Sequence, residues 1–436
     1  MLSQQMKALG VVGAGGAGFP TYVKAESRAE LVLANGAECE PLVHKDVELL
    51  EHFPAEVVQG LLAMMAACGA SSARFGVKSK NAAVIEALRP HLESRPIELL
   101  LMGDFYPAGD EYELVYLATG RLIPPGGLPL HVGCVVNNVE TLYNVHQATQ
   151  GQPVTHKFVS VTGAVSTPSS FRVPLGTPFR DLVRLAGGVR VPEFATFVSG
   201  IMMGRLCSDL EEVVTKTTAG LILLPADHYL VGRRNRPAEA MHRIGRSACD
   251  QCSYCTELCP RYLLGYEIMP HKVMRSLAFS AAGAANWNQW AELCCACGLC
   301  TLYACPEDLY PREACLQARA DMRAAGTRFV QQKEARAHPV KEGRRVPLAQ
   351  LRRRLKLEEW ESPAPFQPGD FVPERVRIPL QQHVGRPARA TVAPGERVER
   401  GSPVGRVAPD ELGADVHSSI PGVVERVTES YVEIRS

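Results

Sequence analysis

VVGAGGAGFPTYVK, residues 11–24, contains a G-x-G-x-x-G run at Gly13, Gly15 and Gly18, and its reading decides the architecture of the first third of the chain. In the dinucleotide turn of a doubly wound sheet, a strand runs directly into the first glycine. Here the preceding MLSQQMKAL has helical character, and only Val11 and Val12 are β-like. No G-K-[ST] follows, which excludes a P-loop. The loop has the glycines to bring backbone N–H groups against a phosphate, without the strand that a Rossmann turn requires.

Outward from this loop, residues 1–155 alternate buried-strand patterns with amphipathic helices. ELVLANGAE (30–38) and IELLLMGDFY (97–106) read as strands; AEVVQGLLAMMAACGA (55–70) and NAAVIEALRPHLE (81–93) read as helices. That alternation predicts an α/β layer with a mostly parallel sheet. Residues 156–208 change character. Two alternating strands flank a Ser/Thr/Pro turn, and TPFRDLVRLAGG (177–188) supplies a helix that Thr177 can cap and Gly187 can end, a unit of β-grasp size. Residues 209–240 read as a connector, and 336–365, rich in arginine, as a linker or exposed helix with a solvated face. Residues 366–436 repeat a strand–Pro–Gly–strand pattern typical of a biotinyl/lipoyl-like sandwich. A carrier domain of that shape needs a lysine on its exposed hairpin. Here the hairpin is APDELGAD (408–415), and no lysine occurs from 366 to the end, so the domain is expected to dock or pack.

The 436 residues carry a net charge of +1, which offers no electrostatic case for nucleic acid or an acidic membrane surface. No apolar run approaches the roughly 18 residues of a membrane helix, and the N-terminus lacks a secretion-signal layout. A cytoplasmic location is expected.

Fourteen cysteines are too many for disulfides in such a chain, and their distribution points to metal. Nine fall between Cys249 and Cys305 within residues 241–335. The first run, CDQCSYCTELCP, spaces Cys249, Cys252, Cys255 and Cys259 as C-x2-C-x2-C-x3-C-P, the pattern of a dicluster ferredoxin, in which the fourth cysteine ligates the other cluster. The second, CCACGLCTLYACP, gives Cys294, Cys297, Cys300 and Cys305, with one extra residue in the last gap. Crossed ligation predicts one [4Fe–4S] cluster on Cys249, Cys252, Cys255 and Cys305, and another on Cys294, Cys297, Cys300 and Cys259. Cys295 is read as a non-ligand, because Cys295-x-Cys297 is too tight for the same geometry. The remaining cysteines are read as small buried apolar residues.

The strings GAGGAGFPTYVK (13–24), NGAECEP (35–41) and VVNNVETLYNV (135–145) resemble the flavin site of the NADH-oxidising flavoprotein subunit of respiratory complex I and of RnfC-type subunits. YPAGDEYELVYLATGRLIPPGGLP (106–129) resembles the acidic NADH-side segment, most closely its RnfC version. VSVTGAV with VPLGTPFRDLVRLAGG resembles the SLBB β-grasp domain that follows in those proteins. RnfC-type subunits carry the sandwich domain at the N-terminus. Its C-terminal position here, together with CCACGLCTLYACPEDLYP (294–311), resembles the PduS-type cobalamin reductases of propanediol-utilisation microcompartments.

The resemblance implies an α/β flavin/NADH-binding domain, a small β-grasp domain, an α-helical two-[4Fe–4S] ferredoxin-like domain and an all-β barrel-sandwich hybrid domain. It implies FMN and two [4Fe–4S] clusters as cofactors and NADH as donor. As acceptor it implies cobalamin or a corrinoid-handling enzyme such as an adenosyltransferase, with microcompartment shell proteins as further partners. An NADH:ferredoxin or flavodoxin oxidoreductase, or an RnfC-like subunit of an electron-transport complex, is the alternative. Carried onto this chain, Gly15, Gly16 and Gly18 would approach the FMN phosphate, and Lys24 would favour the reduced, anionic flavin. Asn35, Asn137 and Asn138 would offer amides to the ribityl chain and ring, with Glu38 as a flavin-site acid. Phe19 would stack on the nicotinamide or adenine, and Glu40 and Glu111 would bind NADH hydroxyls. The complex I branch has Asp where this chain has Ala37.

Overall fold

A computed structural model describes residues 2–279 and 287–436. The first domain is built on a four-stranded parallel sheet in the spatial order Ile97–Met102, Ser72–Lys78, Leu31–Gly36, Cys134–Asn138. The register sets Ala34 beside Asn137 and Asn35 beside Asn138, which gathers these side chains at the carboxyl edge of the strands, where open α/β sheets bind ligands. Residues 2–8 are helical, and Val12 makes only an isolated bridge to Pro20, so no strand feeds the glycine loop. Helices Pro54–Cys68 and Val139–Thr149 pack beneath the sheet with their backbones in contact: a methyl at Gly60 would fall 1.8 Å from the carbonyl oxygen of Leu142.

The β-grasp domain is larger than its sequence pattern predicts. Its six-stranded sheet runs Phe366–Gln367, Ser169–Pro174, His156–Gly163, Gly220–Pro225, Phe194–Val198, Arg205–Leu206. The segment 209–240, expected as a connector, thus supplies an interior strand, parallel to His156–Gly163 and antiparallel to Phe194–Val198. The reason lies in GLILLP, a short apolar run without polar alternation that is buried along nearly its whole length. Phe366–Gln367, assigned from sequence to the last domain, instead extends the other edge of this sheet by pairing with Ser170–Phe171. Helix Phe179–Leu185 forms as expected, but Pro178 occupies the cap position and Thr177 does not cap it. The Thr177 hydroxyl turns back and donates to the carbonyl of Pro174 at 2.8 Å.

In the cysteine-bearing domain, helices Ala238–Ala248, Pro270–Ser276 and Pro311–Ala324 surround the two runs. The arginine-rich stretch after it is a strap with fixed contacts. Val346–Pro347 pairs antiparallel with Phe105–Tyr106, and helix Leu348–Arg354 follows at once. Leu348, Leu351, Leu355 and Leu357 are buried in one cluster with Leu299 and Leu302 of the second cysteine run, and Ala349, Gln350, Arg353 and Arg354 are exposed on the opposite side. The C-terminal domain consists of two antiparallel sheets, Arg375–Pro379, Tyr431–Arg435, Gly422–Val427, Arg397–Val398 and Arg389–Ala390, Pro403–Arg406, Val416–His417. No described helix is long and apolar enough to cross a membrane.

Candidate active site and cluster sites

A cavity of about 360 Å3 opens at the carboxyl edge of the parallel sheet. Gly15, Phe19, Lys24, Asn35, Glu38, Glu40, Glu111, Asn137 and Asn138 all line it, so nine positions drawn from four separate motifs meet at one place. Gly16 and Gly18 do not line it.

Hydrogen bonding separates the groups that face a ligand from those that hold the walls. In the glycine loop, Gly13 N–H donates to Phe19, Gly18 N–H to Gly13, and Ala14 N–H to the hydroxyl of Thr141. The N–H groups of Gly15, Gly16 and Ala17 have no acceptor among the described residues and form an exposed tip at the cavity mouth. Consecutive free amides of this kind make an anion nest. Gly18 serves the loop differently from the expectation, since its N–H is already engaged and its Cα faces the C-terminal domain.

The three asparagines divide likewise. Asn35 donates to the Gly109 carbonyl at 2.9 Å. Asn138 caps helix Val139–Thr149 through Glu140 N–H and donates to Asp46 at 2.8 Å. Only Asn137, 3% exposed, has an amide nitrogen without a partner among the described residues. A buried orphan donor in a cavity is the signature of a missing ligand acceptor.

The charged lining is similarly sorted. Lys24 donates to the Val136 carbonyl at 2.6 Å, and burial lowers its pKa while Glu111 opposes that shift. Glu111 makes no hydrogen bond among the described residues, and burial raises its pKa against the pull of Lys24. Glu38 accepts only long bonds from Asp46 N–H, at 3.3 and 3.4 Å; burial, with the Asp46 carboxylate next, pushes it up to about 8. Glu40, expected at NADH hydroxyls, directs its two oxygens at Met202 N–H (3.0 Å) and Met203 N–H (2.7 Å) of the β-grasp domain. Burial pushes it up to about 6. Glu40 is thus the tie that closes the β-grasp loop over the cavity, where Ser199, Met203 and Ala219 complete the lining. Those three carry no local motif and were out of reach of sequence reading.

Four of the cysteines come together from both runs. Cys249, Cys252, Cys255 and Cys305 line one small cavity, which joins the first run to the last cysteine of the second. Gln251 Nε2 donates to Cys249 Sγ at 3.1 Å and Leu309 N–H to Cys305 Sγ at 3.3 Å, the outer hydrogen bonds expected around cluster sulfur. The two runs share a backbone pattern. Gln251 and Ser253 have positive φ, two and four residues after Cys249; Ala296 and Gly298 have positive φ, two and four residues after Cys294. This equivalence matches Cys294 to Cys249, Cys297 to Cys252 and Cys300 to Cys255, and leaves Cys295 outside the series. The additional residue before Cys305 is absorbed by a π-helical turn, Cys300–Ala304. Burial, reinforced by neighbouring sulfurs, raises the thiols of Cys255 and Cys300, so they remain protonated until a cation's charge makes the thiolate favourable. The set of Cys249, Cys252, Cys255 and Cys305 fits an iron–sulfur cluster, and the cavity fits a flavin nucleotide.

The cavity and the second run share a wall: Cys295 and Cys297 line the cavity beside Tyr106. Cys252 of the first run is exposed. Between the two, Arg261 forms a paired contact with Asp110 (2.8 and 3.1 Å) and lies 3.6 Å over the Tyr112 ring, fixing the corner after Cys259 to the cavity wall.

Comparison with known proteins finds four domain types in the same order along the chain. The Nuo51 FMN-binding domain matches residues 6–147, the SLBB domain 158–205, the 4Fe-4S dicluster domain 248–310 and the RnfC barrel sandwich hybrid domain 369–436. Cobalamin reductase PduS of Salmonella typhimurium is 39% identical over 99% of this chain and 96% of its own length. The protein of the same name from Citrobacter freundii is 37% identical over the same shares. One component of the proton-translocating ferredoxin:NAD(+) oxidoreductase complex of Clostridium ljungdahlii is 30% identical over 59% of this chain and 55% of its own.

Proposed function

This chain belongs to the family of the PduS cobalamin reductases, and from that membership we propose that it is an NADH-dependent oxidoreductase whose acceptor is cobalamin. The observation that carries the reading is the wall shared by the flavin-sized cavity and the second cysteine run. When bound, FMN supplies the exchange between hydride and single-electron chemistry, and the clusters supply one-electron conduction.

The residues of the chain do the binding and positioning. Free N–H groups at positions 15–17 would hold the phosphate, and the unpartnered Asn137 amide a polar edge of the flavin. Lys24, anchored to Val136, presents positive charge to the cavity and so favours a negatively charged occupant. Glu38, whose carboxyl burial and the neighbouring Asp46 push towards its neutral form, would meet the flavin as a weakly charged group. Glu111 and Phe19 remain free to meet the nicotinamide nucleotide. Glu40 acts by holding the β-grasp loop closed, which excludes water. Cys249, Cys252, Cys255 and Cys305 would hold one cluster; Cys259, Cys294, Cys297 and Cys300 would hold the other, nearer the cavity. An adenosyltransferase as the corrinoid-handling partner, and residence in a propanediol-utilisation microcompartment, belong to the same proposal.

The test is an anaerobic titration of the iron- and flavin-loaded chain with NADH in the presence of cob(III)alamin. One NADH consumed per two cob(II)alamin formed supports the reading. NADH oxidation that reduces ferredoxin or flavodoxin and leaves the cobalamin spectrum unchanged would assign the alternative acceptor.

A further inference from the structure

The C-terminal sandwich domain has no carrier lysine, and the structure shows its hairpin already engaged. Lys7, on the N-terminal helix, donates to the carbonyls of Ala408 (3.0 Å), Pro409 (2.8 Å) and Glu411 (2.8 Å) within APDELGAD. The contact continues directly into the glycine loop. At one end of the loop, Lys216 of the β-grasp domain donates to the Gly10 carbonyl at 2.7 Å and to the Asp415 carbonyl at 2.9 Å, joining three domains through one ammonium group that is 2% exposed. At the other end, Val384 N–H donates to the Gly18 carbonyl at 2.9 Å. Gln382 ties the two ends together, its side-chain oxygen accepting from Lys216 N–H at 3.0 Å. Gly18 has φ +64°, and a methyl there would stand 3.0 Å from Thr217 Cγ2 and 3.2 Å from His383 Cα, so the loop is pressed against this wall with no space between.

A nest of free N–H groups binds an anion only when its amides are held convergent before the anion arrives. Within its own domain, the loop is braced by two internal backbone bonds and by Thr141, and its base by Val11 N–H to Met6, Thr21 N–H to Val11 and the Val12–Pro20 bridge; the carbonyls of Gly10 and Gly18, at its two ends, are held from outside. We propose that the C-terminal domain is a structural wall of the flavin site, with Lys216 and Gln382 as positioning residues that hold the glycine loop in its phosphate-binding shape. This rests on the reading that the loop holds the FMN phosphate.

The experiment compares FMN with riboflavin, which lacks the phosphate, on the full iron-loaded chain after flavin removal, by quenching of flavin fluorescence. Lys216→Met keeps the length of the side chain and removes both donated bonds; Gln382→Ala removes the tie between them. Each variant is expected to weaken FMN by roughly tenfold, the effect of losing about one charged hydrogen bond's worth of preorganisation, while riboflavin affinity stays as in wild type. A general loss of stability would weaken both flavins together, and that outcome, or unchanged FMN affinity in both variants, overturns the proposal. Should Lys216→Met fail to fold, Gln382→Ala decides alone. A wild-type protein that binds riboflavin as tightly as FMN would instead overturn the phosphate reading on which the proposal stands.

Discussion

The phenolic hydroxyl of Tyr106 donates a 2.6 Å hydrogen bond to the main-chain carbonyl of Cys297, across 191 positions of sequence and between two domains. Tyr106 lines the flavin-sized cavity, and Cys297 belongs to the second cysteine run, so this bond fixes the distance between two cofactor sites. Tyr106→Phe leaves a buried carbonyl unsatisfied, at about 1–3 kcal/mol. The variant is expected to unfold at lower temperature and to retain both cofactors. Flavin bleaching by NADH should proceed at the wild-type rate, with cluster reduction slowed several-fold. Stopped-flow absorbance separates the two phases.

Cys295 and Cys294 are neighbours with different fates. The backbone equivalence of the two runs assigns Cys294 to the cluster and leaves Cys295 facing the cavity. Cys295→Ser should keep about eight iron atoms per chain, the content of two [4Fe–4S] clusters, whereas Cys294→Ser should lose one cluster's paramagnetic resonance signal. The reverse result would shift the register of the second run by one residue.

Cys252 and Gly16 separate the two halves of the activity. Cys252→Ala removes an exposed thiol from the first set without touching the cavity, so an artificial dye that accepts from the flavin should still be reduced by NADH at the wild-type rate. Cobalamin reduction should fall by tenfold or more. Gly16→Asp places a negative charge on the loop tip at φ +118°, a backbone region hostile to side chains, and should abolish flavin binding and both activities. Wild-type cobalamin reduction by Cys252→Ala would show that this cysteine set is not on the route.

Lys216 gives stability a pH signature. Burial lowers its pKa to about 7, opposed by Asp415, whereas the unfolded lysine titrates near 10.5. Between these values the unfolded chain binds a proton that the folded chain does not, so this group adds stability as pH rises from about 7 towards 10. The neutral amine still donates its two bonds. His383 and His417, which also face the ammonium group, are held neutral by burial and do not titrate in that window. The melting temperature of wild type relative to Lys216→Met should therefore climb with pH over this range. A difference that is flat or falling in a thermal scan would contradict it.

What was legible in the sequence was what is local. The cysteine spacings, the glycine loop without its leading strand and the apolar periodicities each occupy a dozen residues and predict their own geometry. The gathering of Phe19, Asn137 and Glu111 in one cavity was reached only through their joint resemblance to a family, since each alone is ordinary. The partners of those residues were not legible. Nothing near NGAECEP shows that Glu40 would receive Met202 and Met203, or that Asn35 and Asn138 would be occupied by the protein itself. GLILLP looked like a connector because its strand neighbours lie some sixty and twenty-five residues upstream. The strap was hidden by its arginines, which mask leucines at helical spacing.

The pairing of Val346–Pro347 with Phe105–Tyr106 changes how the iron-binding part of the molecule relates to the rest. The chain leaves the β-grasp sheet at Pro225, passes through both cysteine runs, and is sewn back into the flavin domain at Val346 before its final strands begin. The metal-binding part is therefore an insertion with both ends anchored, not an appendage. Loss of iron would leave this segment tethered at both ends to sheets that keep cores of their own.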